Sequence, residues 1–155
     1  MLGLIIKQFL SSREQGQNPP AGVNREDKLK VAAAAIFLEI AQSDSHFARE
    51  EFTAIREILK SSFQIREEDI REIIRVAQEE RKKSTDLYRF TNLINEHLTR
   101  EEKLGMMEKI WQVVYADGIM HKYEDYLAHK LAALLRLNHA EMIAAKMKVK
   151  QAKGL

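Results

Sequence analysis

No cysteine occurs among the 155 residues. Disulfides, thiolate metal sites and cysteine nucleophiles are excluded. The absence fits a reducing compartment, and a cytoplasmic location is the expectation. Proline occurs twice, as the pair Pro19-Pro20, and glycine six times. The glycines at 3, 16, 22, 105, 118 and 154 are too dispersed for a phosphate-cradling loop or a Gly-x-Ser-x-Gly nucleophile elbow. No apolar run reaches the ~18 residues of a transmembrane candidate. No segment alternates apolar and polar residues as a half-buried strand does. Excess charge of one sign is also missing: the net charge is +2, too small to argue for a nucleic-acid partner. The late lysines 146, 148, 150 and 153 lack the interleaved aromatics that stack on bases, and read as a solvated helix end, where cations suit the dipole.

What remains is 45% hydrophobic and 31% charged, rich in Ala, Leu, Ile, Glu and Lys. That is the composition of one soluble, helical domain. The opening MLGLIIKQFLSS does not read as a signal peptide, because Lys7 interrupts the apolar stretch. Leu2, Ile5, Ile6, Phe9 and Leu10 fall on one face of an amphipathic helix over 1–12. Docking of that face on this protein's own body or on a second copy, giving a homodimer, is the first expectation; a peripheral membrane contact is the second. Residues 13–24, with the proline pair and two glycines, read as a linker.

From Arg25 to the end the periodicity predicts an all-α domain, 25–155, in a chain of about seven to eight helices. The segment EERKKST, 79–85, reads as a charged break. Thr99-Arg100-Glu101-Glu102 is a capping box opening a helix near Arg100, and Asn138-His139-Ala140-Glu141 is another cap of this type. Two stretches echo each other. IAQSDSHFAREEF (40–52) and YADGIMHKYEDYL (115–127) each lead an apolar helical pattern into an Asp, with a Glu seven positions on. Asp44 and Asp117 are 73 residues apart, as are Glu51 and Glu124; LKSSFQIREEDI (59–70) and LAALLRLNHAEM (131–142) match at a spacing of 72. The expected architecture is two three-helix repeats, about 29–80 and 100–150, related by a pseudo-two-fold axis, with a linking helix between.

The acidic corners admit two readings. Each acid can be a helix cap or a first-turn partner of the helix dipole, and a duplication copies caps. Alternatively Asp44, Glu51, Asp117 and Glu124 converge as a metal site, since four carboxylates in one place require a cation. Calcium, magnesium or manganese would suit the oxygens. Neither corner is an EF-hand, which needs oxygen ligands across a twelve-residue loop. Of the histidines 46, 97, 121, 129 and 139, none has a Glu three residues before it, so a ferritin-like di-iron centre is rejected. They read as solvent-exposed, with a zinc or nickel site as the alternative.

The pattern A-x-x-D-G-x-apolar-x-x-x-E, twice in an all-helical chain, resembles the TerB family of tellurite-resistance proteins, related to the N-terminal domain of the DjlA co-chaperones. DLYRFTNLINEHLTREEK (86–103) and EKIWQVVYADG (108–118) resemble its small bacterial branch, and the likeness runs from about Lys28 to Met147. The resemblance implies a helical domain of two related halves, a role in stress or metal-oxyanion response, and metal-binding acidic corners at Asp44, Glu51, Asp117 and Glu124. Ser45 replaces the glycine of the first corner; Ala48 and His121 stand where the family places a capping Ser or Asp. The expectation is a non-enzymatic binding module with protein partners. Its rivals are a metal-free helical adaptor and, more distantly, a metal-dependent hydrolase.

Overall fold

The computed structural model describes residues 25–41, 49–81, 87–119 and 121–155. The helix expected over 1–12, the linker 13–24 and the first corner with Asp44, Ser45, His46 and Ala48 lie outside the described residues. Seven helices and no strand are present among the described residues: α1 (Arg25–Ala41), α2 (Arg49–Ser61), α3 (Glu67–Arg81), α4 (Leu87–His97), α5 (Arg100–Val114), α6 (Lys122–Leu134) and α7 (His139–Lys153). The fold is all-α. Glu79–Arg81, read from the sequence as part of a break, continue α3, because Glu and Arg are good helix formers.

Local chemistry explains the boundaries. The Thr99 hydroxyl accepts from the Glu102 amide, and the Glu102 carboxylate accepts from the Thr99 amide. Asn138 and Glu141 make the same reciprocal pair at the start of α7. Each box satisfies two amides that a helix start leaves without partners. Gly154, in the left-handed region at φ 71°, ends α7, as a C-terminal glycine commonly does. The turns after α2 and α6 place Gln64 (φ 54°) and Arg136 (φ 61°) in that same region. The helices around them match in length, with 13 residues in α2 and α6 and 15 in α3 and α7.

α1 is the spine. Its buried residues include Ala32, Ala33, Ile36, Phe37, Ile40 and Ala41, all without exposed surface, and it packs against α2, α3, α4, α5 and α6. A helix covered by so many neighbours shows no narrow apolar stripe. Its run of alanines lets them approach closely. α5 is the second centre: Met107, Ile110, Trp111, Val113 and Val114 are fully buried, and it packs on α2, α6 and α7. The Trp111 indole N–H donates to the Met142 carbonyl at 3.2 Å. Lys146 does not belong to a solvated helix end. Its ammonium lies 5.2 Å from the Trp111 ring centroid and 3.7 Å from the Asp125 carboxylate, because docking of α7 on α5 brings it over the indole. Lys148 reaches Glu108 at 3.1 Å from an exposed position.

Candidate metal centre

Four of the side chains discussed above come from two helix starts and one turn. Glu51 is the third residue of α2 and Glu124 the third of α6. Both helix N-termini therefore bring their positive dipole ends to these carboxyls. The two are buried, Glu51 at 1% exposure and Glu124 at 0%. This burial separates them from Glu102, an exposed capping residue. Neither oxygen of Glu51 meets a hydrogen-bond donor among the described residues.

The second corner is built by Asp117 and Gly118. The Gly118 amide donates to the Tyr115 carbonyl at 2.9 Å, closing a turn that places Gly118 at φ 80°, a region open to glycine. One oxygen of Asp117 accepts from the Ile119 amide at 3.0 Å. The other lies 3.2 Å from Nε2 of His121. His121 is the N-cap of α6 but makes no capping hydrogen bond with its side chain. It is half-buried, with one ring nitrogen, one Glu51 oxygen and one Glu124 oxygen all within 4.8 Å of one another.

Of the four acids singled out in the sequence, Glu51 and Glu124 thus meet directly and Asp117 stands behind His121; Asp44 lies outside the described residues. From the sequence His121 reads as a solvent-exposed residue at a missing cap, with a zinc or nickel site as the alternative; the structure half-buries it. The spacing that could have flagged it is local: four residues after Asp117 and three before Glu124, which places it against both.

The electrostatics follow from burial and crowding. Loss of solvent, first, pushes the Glu51 carboxyl up to about 9; Glu124 adds to this by hydrogen bonding to the protonated form and by its charge, and Asp117 by its charge. The His121 imidazole acts the other way. Two ionised carboxylates can only repel here. The pair is relieved by a proton held between them or by a cation. The residues fit a divalent ion on this ground: buried carboxyl oxygens, an imidazole at the same spot, and no donor for Glu51 among the described residues.

A helical domain whose interior holds a carboxyl pair delivered by two helix starts, beside an Asp-Gly turn, is an acidic-cluster helical module. The sequence profile of the family described as "Tellurite resistance protein TerB" matches residues 30–147, which include both helix starts, and the chain belongs to that family. No curated protein and no solved structure gives a significant match.

Proposed function

We propose that this protein is a non-enzymatic TerB-family binding module that takes a divalent cation at its acidic corners and serves a stress or tellurite response. The observation that carries the reading is Glu51: a carboxyl at 1% exposure with no donor for either oxygen among the described residues, facing a second buried carboxyl from another helix. Without an ion the pair must hold a proton, since two buried charges side by side are too costly to keep. Glu51 and Glu124 would hold the ion, Asp117 would support it from the turn, and Asp44 would supply the equivalent group of the first corner. The bound ion would neutralise the cluster and tie the start of α2 to the start of α6. Calorimetric titration of chelator-treated protein with calcium, magnesium, manganese and zinc tests this. At least one should bind with a 1:1 stoichiometry that Glu51→Gln abolishes; no heat with any of them contradicts it.

A second reading, a metal-free adaptor for protein partners, draws on a groove of about 250 Å³ between α4 and α6. Tyr88, Tyr123 and Tyr126 line it and are 61%, 56% and 61% exposed. Exposed tyrosines are common at protein interfaces. Tyr126→Ala weakening capture of a partner, with cation response unchanged, would favour it.

A further inference from the structure

We infer that His121 is a direct ligand and makes this site prefer a nitrogen-accepting transition ion, of the zinc class, over calcium and magnesium. The inference rests on the cation reading above and specifies the ion. Distance alone does not decide between the ions, since donor atoms that lie within 4.8 Å of one another are in reach of either. The donor set decides. Calcium takes about six to eight oxygens and magnesium about six, much of it as water. The described cluster offers two carboxylates and one imidazole, with both carboxylates shut away from solvent. The imidazole among the described ligands separates the ions: it suits a zinc-class ion and is a poor ligand for calcium and magnesium.

Asp117 completes the arrangement as a positioning residue. Histidines that bind metal commonly give their other ring N–H to a carboxylate, which fixes the tautomer and the ring. Asp117 Oδ2 lies 3.2 Å from Nε2 of His121, while its Oδ1 is held by the Ile119 amide. In the tautomer that donates from Nε2 to Asp117, Nδ1 would be the nitrogen that offers its electron pair to an ion. His121 can take this role without harm to α6, because its side chain makes no capping hydrogen bond.

The test uses the full chain, treated with chelator and then titrated with zinc or calcium, with melting temperature and the imidazole resonances of the five histidines as readouts. Wild type should respond to zinc at a concentration at least ~10-fold below that for calcium, and zinc should move the His121 resonance. His121→Asn, a residue favoured at an N-cap, should fold normally and lose more zinc affinity than Asp117→Asn, which removes an outer-shell partner worth ~10–100-fold. His121→Asp should restore calcium response at the expense of zinc. Asp117→Asn should weaken zinc binding while the metal-free melting temperature stays near that of wild type. Calcium binding as tightly as zinc, His121→Asn leaving the zinc midpoint unchanged, or zinc moving His129 and His139 instead would each overturn the inference and leave the cation reading standing. No response to either ion, in wild type and variants alike, would overturn both.

Discussion

Glu51 has its carboxyl where neither water nor a donor among the described residues serves it. The direction of the pH dependence follows. Its folded value is about 9 against 4.5 when exposed. Between those limits the metal-free fold keeps a proton that the unfolded chain releases. Stability is therefore fullest below about pH 4.5 and is lost as pH rises toward 9, by at most about 1.4 kcal/mol per pH unit. Chelator-treated protein should melt lower at pH 8.5 than at pH 6, and Glu51→Gln should flatten that slope. A bound cation replaces the proton, so its affinity should rise with pH over the same interval. Of this site, the two glutamates were legible in the sequence from their shared spacing of 73. The division of labour between Asp117 and His121 was not, because it depends on the rotamers of a turn. Lys146 was missed for a similar reason: only the seating of α7 on α5 turns it toward Trp111.

At the scale of the element, helix starts carry most of what the sequence revealed. Thr99 and Asn138 were identified as caps from the residue types alone, and both make their reciprocal bonds. Thr99→Ala or Asn138→Ala should each lower stability by about 0.5–2 kcal/mol in denaturant unfolding. The start of α6 differs, since its cap position is held by a histidine whose side chain does no capping. His121→Ser should leave metal-free stability unchanged or raise it slightly. If instead it costs as much as Thr99→Ala, His121 is a structural cap and its place at the site is incidental. Gly118 has no such freedom. At φ 80°, Gly118→Ala should cost about 1–2 kcal/mol and displace Asp117.

For the whole molecule, the all-α class followed from periodicity and from the scarcity of proline and glycine. The packing order did not. No local pattern says that α1 is the spine, because a helix buried around most of its girth loses the narrow stripe that periodicity detects. Phe37, fully buried on α1 and in edge contact with Phe63 at 6.1 Å, tests that role. Phe37→Ala should cost about 3–5 kcal/mol, with the loss expressed as a single cooperative transition. The same spine joins the helices that carry Glu51 and Glu124, since α1 packs on both α2 and α6. No described helix is long and apolar enough to cross a membrane.

Glu51 and Glu124 are proposed to meet to hold a cation. The most direct test is the melting temperature of chelator-treated protein at pH 8 before and after adding zinc or calcium, in wild type and in Glu51→Gln. A ligand at a hundred times its dissociation constant adds about 2.7 kcal/mol, roughly 5–10 °C for a chain of this size. Wild type should rise by that order and Glu51→Gln should not rise at all. Equal melting temperatures with and without every ion, or a rise that survives Glu51→Gln, would contradict the proposal.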